Sequence, residues 1–309
     1  MNSDFYEKLS TIVSAENVIE NEMMSRHTTF RTGGPADYFV RVNTIEELSS
    51  LMALFKELHM ELLKDVYVVG NGSNLLVSDK GFKGVILCLD GDFCDVSLKD
   101  KVVTAGAAAI NAKVANLARD NGLTGFEFAH GIPGTIGGAL IMNAGAYGGE
   151  MKQVVRKVRV MESDGTIKTV EGQDLEFGYR TSLFKGKPLV ILDTEIELTD
   201  GDSAEIDAVM KDLMERRRTK QPLEYPSAGS TFKRPEGYFA GKLIEEAGLR
   251  GYSNGDAQVS EKHCGFVINK GKATSSDIYK LICDVQNKVK ENSGIELQPE
   301  VIKLGDFEV

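Results

Sequence analysis

The glycine-rich stretch Gly131–Gly149, GIPGTIGGALIMNAGAYGG, constrains the fold more than any other part of the chain. Seven of its nineteen residues are glycine, and none is charged. Glycine loses more backbone freedom on folding than any other residue, so this density is costly inside a regular helix or strand. We therefore expect backbone that runs close to a bulky neighbour. The spacing matches neither the G-x-G-x-x-G dinucleotide fingerprint nor the G-x-x-x-x-G-K-[ST] phosphate loop.

A second glycine loop lies upstream, at Gly70-Asn71-Gly72-Ser73-Asn74, directly after the apolar run Val66–Val69. Backbone N–H groups in consecutive tight turns form concavities that bind anions without a lysine. Two such loops in one chain indicate a ligand that carries a pyrophosphate and is wrapped by protein. The alternative interpretation is a pair of surface turns.

Length and charge set the broad class of the protein. At 309 residues, 42% of them hydrophobic, the chain holds about two domains with buried cores. The net charge of −10 argues against a general nucleic-acid binder, which needs a basic surface. The acidic N-terminus is no signal peptide, and the helix breakers in residues 128–149 argue against a membrane span. We expect a cytoplasmic protein.

Cysteine and histidine spacing gives no sign of a metal site. The four cysteines show no C-x-x-C pattern, and no two histidines have metal-ligand spacing. We expect reduced and mostly buried thiols. His130, beside the glycine-rich stretch, is expected to be structural.

Hydrophobic periodicity predicts alternating helices and strands. Residues 1–26 are interpreted as one or two helical turns and a connection. A capping box at Thr44–Glu47 is predicted to begin a helix. Further helices are predicted at 111–121, 206–220, 238–247 and 277–290. Strands are predicted at 37–42, 66–69, 84–89, 102–105, 154–161, 167–170, 189–198, 265–268 and 301–304. A shift in composition near Asp200 places a domain boundary at 200–205.

The segment Lys211–Lys220, KDLMERRRTK, carries five basic and two acidic residues in an otherwise acidic chain. It favours either a solvated helix face or a binding site for phosphate or carboxylate groups.

Three further polar residues are candidates for chemistry, although each also has a plainer interpretation. Arg180 lies in the loop Tyr179–Ser182, where an arginine is commonly a solvated charge. Ser230 lies in a small-residue segment, where a serine commonly forms a turn. Glu300 follows Pro299, where a lone glutamate is commonly exposed. The residues alone support a two-domain protein that wraps a diphosphate-bearing ligand.

Six motifs occur in an order that resembles the UDP-N-acetylenolpyruvoylglucosamine reductase family, flavoenzymes of peptidoglycan precursor synthesis. They are TGGPA at 32–36, GNGSNL at 70–75, GIPGTIGG at 131–138, YRTS at 179–182, AGSTFK at 228–233 and QPEV at 298–301. The resemblance covers residues 25–305. The short connection between Thr181 and Leu189 resembles the shorter type of the family, which lacks an inserted tyrosine-bearing loop.

The resemblance implies an α+β fold with a two-lobed FAD-binding domain of the vanillyl-alcohol-oxidase type. That domain would span residues 30–202, with lobes at 30–70 and 71–202, between an N-terminal segment at 1–29 and a substrate domain at 203–309. Non-covalent FAD would lie between the glycine loops. Its implied contacts are Gly70, Asn71, Gly72, Ser73, Asn74, Leu75, Gly131, Pro133, Gly134, Thr135, Gly137 and Gly138.

The implied activity is that of an NADPH-dependent UDP-N-acetylmuramate dehydrogenase, which reduces the enolpyruvyl ether of UDP-N-acetylglucosamine. Hydride addition at the carbon beta to the carboxylate leaves carbanion character at the alpha carbon. Arg180 would stabilise the resulting enolate, and Glu300 would donate to its oxygen. Ser230 would deliver the proton. Substrate contacts are implied at Arg217, Lys220 and Lys233, in a protein expected to be a monomer.

Two other functions stay open from the sequence. One is another FAD oxidoreductase of the same fold that acts on a small alcohol or hydroxy acid. It would share the glycine loops but would not need the polar residues at 180, 230 and 300. The other is a nucleotide-binding regulator without turnover.

Overall fold

The computed structural model describes residues 3–307 and mixes helices with short strands. The helices are α1 Ser3–Val13, α2 Ile45–Glu57, α3 Asn111–Asp120, α4 Ile136–Ile141, α5 Ser203–Lys220, α6 Ala240–Glu246 and α7 Ser275–Ser293. The strands are β1 Val18–Met23, β2 Pro35–Val42, β3 Val66–Val69, β4 Leu75–Val77, β5 Phe82–Leu89, β6 Val96–Lys99, β7 Val102–Gly106, β8 Leu123–Thr124, β9 Gly145–Ala146, β10 Gly149–Glu150, β11 Val155–Glu162, β12 Ile167–Glu171, β13 Leu189–Glu197, β14 Thr199–Asp200, β15 Ser227–Ser230, β16 Ser253–Asn254, β17 Ala257–Val259, β18 Phe266–Asn269 and β19 Ile302–Leu304.

The chain divides into two compact units, each discontinuous in sequence. Within the described residues, the first unit comprises residues up to Glu20, Tyr38–Gly70 and Gly84–Glu215. The second comprises Asn21–Asp37, Asn71–Lys83 and the residues from Arg216 onward. The sequence predicted continuous domains instead. The difference at residues 71–83 arises because β4 pairs in parallel with β19, a long-range contact that no local pattern reveals.

An antiparallel sheet in the order β12-β11-β13-β7-β6 forms the centre of the first unit. The predicted strands at 154–161 and 167–170 are confirmed and form an antiparallel hairpin of β11 and β12, with Val158 opposite Val170. Strand β13 is central, and Val190, Ile191 and Leu192 are buried in the core of this unit. A second sheet has the order β1-β2-β5-β3, and its edge strand β3 is parallel to β5. Gly70 directly follows β3 in the chain.

Helix α2 begins where the sequence predicts it. The Thr44 hydroxyl accepts a hydrogen bond from the Glu47 N–H at 3.1 Å. The Glu47 carboxylate accepts from the N–H of Asn43 at 2.6 Å, one residue earlier than in a reciprocal capping box. The apolar face of this helix is buried, with Leu48 and Leu51 both fully enclosed.

The second unit is built on a sheet in the order β15-β18-β17-β16 and on α7. Thr274 and Asp277 form a capping box at the start of α7. The Asp79 carboxylate also accepts hydrogen bonds from the N–H groups of Ser275 and Ser276, each at 2.8 Å. Because negative charge is favourable at a helix N-terminus, Asp79 fastens the segment 71–83 to this helix.

Two expectations require correction. The N-terminal region contains a helix longer than the predicted one or two turns, and it also contains the strand β1. The polar sequence VIENEM of β1 gave no strand pattern. The thiols are less buried than expected, since Cys264 is buried and Cys88, Cys94 and Cys283 are half-buried. Burial raises the pKa of the Cys88 thiol to about 11. Between residues 3 and 307, no helix is long and apolar enough to cross a membrane.

Candidate active site

In the first unit, the glycine-rich stretch turns into the short helix α4. Thr135 caps this helix, and its hydroxyl accepts from the Gly138 N–H at 3.4 Å. The N–H groups of Ile136 and Gly137 donate to the carbonyls of Ala109 and Ala107, each at 2.8 Å. A Cβ at position 137 would lie 3.1 Å from the Ala107 carbonyl oxygen. Glycine therefore avoids a contact tighter than most side chains make where the two backbones approach.

Gly70, the first residue of the glycine loop at 70–74, lies against the start of α4 within this unit. A Cβ added at Gly70 would lie 2.5 Å from the Thr135 hydroxyl oxygen, a distance that a real side chain does not tolerate. Gly70 directly follows β3, so the carboxyl end of this strand lies beside the start of α4. Ligands commonly bind at the carboxyl ends of strands in α/β sheets.

Asn111 presents a polar atom that the protein itself does not satisfy. Its side-chain amide donates to the Ile132 carbonyl at 3.2 Å, and its N–H donates to the Gly134 carbonyl at 3.2 Å. Its Oδ1 is buried and has no hydrogen-bond partner within residues 3–307. Buried acceptors are normally satisfied, so this atom fits a donor on a bound ligand. Sequence reasoning interpreted Asn111 only as the start of a helix.

Arg180 has a left-handed backbone conformation, with φ of +55°. It lies inside the turn that the bridge between Gly178 and Thr181 closes. Its carbonyl accepts from the Lys185 ammonium at 2.9 Å, and its guanidinium lies 5.4 Å from the centre of the Tyr179 ring. Non-glycine residues in this region carry strain, which persists mainly where surrounding structure enforces it.

Two side-chain hydrogen bonds anchor the Arg180 turn on the glycine-rich stretch. Asn143 donates from its side-chain amide to the Gly178 carbonyl at 3.0 Å. Ser182 is buried, and its hydroxyl donates to the Ile141 carbonyl at 3.0 Å. The structure thus brings the arginine turn and the glycine-rich stretch together in the first unit.

In the second unit, the strand that carries Ser230 lies beside the segment that carries Glu300. The Glu300 N–H donates to the Thr231 carbonyl at 2.8 Å, and the Lys233 N–H donates to the Gln298 carbonyl at 2.8 Å. Ser230 is exposed at the end of β15, and Glu300 and Lys233 are half-buried. Ser230, Lys233 and Glu300 therefore lie on two adjacent segments of the second unit.

The predicted cofactor residues fall in both units. The first unit holds Gly70, Gly131, Pro133, Gly134, Thr135, Gly137 and Gly138, whereas the second holds Asn71, Gly72, Ser73, Asn74 and Leu75. Gly72, Leu75 and Gly137 are buried, and the others are exposed or half-buried. Gly72 has φ of +58°, and a Cβ there would lie 2.0 Å from the His27 carbonyl oxygen.

Gly72→Ala is expected to destabilise the protein by several kcal/mol. The left-handed conformation alone costs an L-residue roughly 1–2 kcal/mol, and overpacking against fixed backbone adds about 1–3 kcal/mol. Gly186 is a matched control, because it has φ of +70° and nothing within 4 Å of its added Cβ. Denaturant unfolding of both variants measures the difference. Equal losses of stability would show that the close contact with the His27 carbonyl does not matter.

Some basic residues at the end of α5 fit a solvated helix face, and one fits a binding site for phosphate or carboxylate groups. Arg217 is only 8% exposed, whereas Lys211, Arg216, Arg218 and Lys220 are exposed. Lys211 pairs with Asp207 at 2.6 Å, as expected on a solvated helix face. Arg217, Lys220 and Lys233 all belong to the second unit, and Arg180 belongs to the first.

Two family models match successive parts of the chain. Residues 36–171 match the FAD binding domain, and residues 221–304 match the UDP-N-acetylenolpyruvoylglucosamine reductase C-terminal domain. The first match defines the class of the protein as an FAD-binding flavoprotein. The predicted α+β fold, with an FAD-binding domain and a separate C-terminal domain, is confirmed.

Named relatives resemble the chain over its whole length. UDP-N-acetylenolpyruvoylglucosamine reductase from Agathobacter rectalis is 47% identical, over 99% of this chain and 100% of the relative. The reductase from Clostridioides difficile is 48% identical over 99% of both chains. The crystal structure of the Thermus caldophilus enzyme is 33% identical with a TM-score of 0.79, over 92% of this chain and 98% of that one. The chain belongs to the UDP-N-acetylenolpyruvoylglucosamine reductase family.

Proposed function

We propose that the protein uses FAD and NADPH to reduce the enolpyruvyl ether of UDP-N-acetylglucosamine to UDP-N-acetylmuramate. The observation that carries the proposal is the hydrogen bond that joins the Ser230 strand to the Glu300 segment, in a chain of this family. Peptidoglycan precursor synthesis in the cytoplasm is the proposed setting. No observation favours an oxidoreductase of small alcohols or a regulator without turnover.

The residues around the glycine segments fit a dinucleotide cofactor. Gly70 brings bare backbone against the start of α4, where an added Cβ would lie 2.5 Å from the Thr135 hydroxyl oxygen. Asn111 offers a buried acceptor for a hydroxyl or amine group. Uncharged loops of this kind hold phosphates through backbone N–H groups. Bound FAD supplies hydride transfer between NADPH and the enolpyruvyl double bond.

The polar residues then have distinct roles toward the substrate. Hydride addition to the double bond places negative charge on the alpha carbon and on the adjacent carboxylate. The guanidinium of Arg180 binds that carboxylate with two parallel donors and stabilises the charge. Protonated Glu300 donates a hydrogen bond to the enolate oxygen and keeps its proton, whereas the Ser230 hydroxyl transfers one proton to the alpha carbon and regains it from solvent. Arg217, Lys220 and Lys233 supply positive charge for phosphate groups.

The purified protein is expected to be yellow and to contain non-covalent FAD. The glycine segments offer backbone contacts but no residue placed for a covalent flavin link. Acid precipitation should therefore release free FAD into the supernatant, where its absorbance identifies it. A colourless protein that also fails to bind added FAD would contradict the proposal.

A further inference from the structure

Asn74 contacts the chain on both sides of Val301. Its side-chain Nδ2 donates to the Glu300 carbonyl at 3.1 Å, over a sequence separation of 226 residues. Its own carbonyl accepts from the Ile302 N–H at 2.9 Å. One residue of the glycine loop at 70–74 therefore holds the backbone that follows Glu300.

The other backbone group of Glu300 is also held. Its N–H donates to the Thr231 carbonyl at 2.8 Å, next to Ser230. Thr231 is itself fully buried, and its hydroxyl accepts from the Val267 N–H at 2.9 Å. The backbone of Glu300 is thus fixed at its N–H by the serine strand and at its carbonyl by Asn74. A fixed backbone restricts the directions that the glutamate side chain can take.

The remaining polar atom of the Asn74 side chain points to a ligand. Its Oδ1 is buried and has no hydrogen-bond partner within the part of the chain that the structure describes. Exchanging the amide oxygen and nitrogen would place an oxygen against the Glu300 carbonyl, so the donor must face Glu300. The unsatisfied oxygen then remains for a donor outside the protein, in the loop expected to hold FAD.

We propose that Asn74 is a positioning residue for Glu300 and that it couples cofactor binding to the placement of this glutamate. FAD in the loop at 70–75 would fix the Asn74 side chain, and Asn74 would then fix the Glu300 carbonyl. The role of Glu300 toward the substrate rests on the proposed function, whereas the hydrogen bond from Asn74 to the Glu300 carbonyl is observed in the structure.

Hydrogen exchange tests the structural part without any turnover. Asn74→Asp keeps the size of the side chain but replaces the Nδ2 donor with an acceptor. Amide exchange in residues 298–304 is measured by mass spectrometry with FAD bound and with FAD removed. In the wild type, FAD should slow exchange in this segment. In N74D, exchange should be faster, and FAD should no longer slow it.

Asn121→Asp is the matched control, because the Asn121 Nδ2 also donates to a backbone carbonyl, that of Leu117 at 2.8 Å. It should leave exchange in residues 298–304 unchanged. Exchange in this segment that is the same in N74D and the wild type overturns the proposal. This exchange experiment tests the role of Asn74 even if the protein does not reduce the enolpyruvyl substrate.

A double-mutant cycle tests the functional part. In N74D loaded with FAD, substrate should reoxidise the reduced flavin roughly tenfold more slowly, the effect of about one lost hydrogen bond, and this loss should exceed any change in the rate of flavin reduction by NADPH. In an E300Q background, N74D should cause no further slowing, because both changes act through one residue. Additive slowing overturns the positioning role. If wild-type protein shows no substrate-dependent reoxidation, the proposed function fails instead.

Discussion

Replacement of Ser230 by alanine is expected to slow reoxidation of the reduced flavin by the enolpyruvyl substrate by roughly 10²–10⁴-fold. This is the usual contribution of a positioned proton donor. The same variant should bind FAD and should still be reduced by NADPH at the normal rate, since the proton is needed only when substrate is reduced. Anaerobic stopped-flow absorbance separates the two half-reactions.

Two further variants make the Ser230 result specific. Cysteine at position 230 should restore part of the rate, because a thiol is also a proton donor. Ser227→Ala, in the same strand and opposite Ile268, should leave both half-reactions unchanged. If S230A slows flavin reduction as much as reoxidation, Ser230 is a structural or binding residue. If it slows neither, the serine only forms the turn.

Arg180→Lys is expected to lower steady-state turnover on the order of 10²–10³-fold, the usual cost of removing one oxyanion donor. Lysine keeps the charge but loses the planar pair of donors that matches a carboxylate. The left-handed backbone at Arg180 and the anchoring of its turn at Gly178 and Ser182 define the backbone from which the guanidinium extends. NADPH oxidation with the enolpyruvyl substrate measures the loss.

Arg159→Lys is a matched control for the arginine. The Arg159 Nε donates to both carboxylate oxygens of Asp193, at 2.9 and 3.0 Å, on the sheet of the first unit. This variant loses the same planar geometry and should change stability rather than turnover. Near-normal turnover in folded, FAD-replete R180K would rule out the proposed role of Arg180.

Local patterns predicted much of the fold. Strands such as Val66–Val69 and helices such as α7 carry strong periodicity and caps, and their bounds differ from prediction by only a few residues. The short helix α4 was not predicted, because its glycines disfavour a helix and its stability comes from hydrogen bonds to Ala107 and Ala109. The strand β4 was also missed, since its pairing with β19 is long-range.

The roles of the candidate site residues stay a prediction, whereas their contacts within each unit come from the folded structure. The motifs located Arg180, Ser230 and Glu300, because each stands in a recognisable short segment. No sequence pattern indicates that Asn74 donates to the Glu300 carbonyl, or that Gly70 lies against Thr135. These contacts join residues far apart in sequence, and only the folded backbone defines them.

NADPH oxidation by the purified, FAD-containing protein, with and without the enolpyruvyl ether of UDP-N-acetylglucosamine, tests the central claim most directly. We predict oxidation that depends on the sugar nucleotide, with one UDP-N-acetylmuramate formed for each NADPH consumed. Oxidation at the same rate without the sugar nucleotide, or no formation of the lactyl ether, would contradict the proposed function.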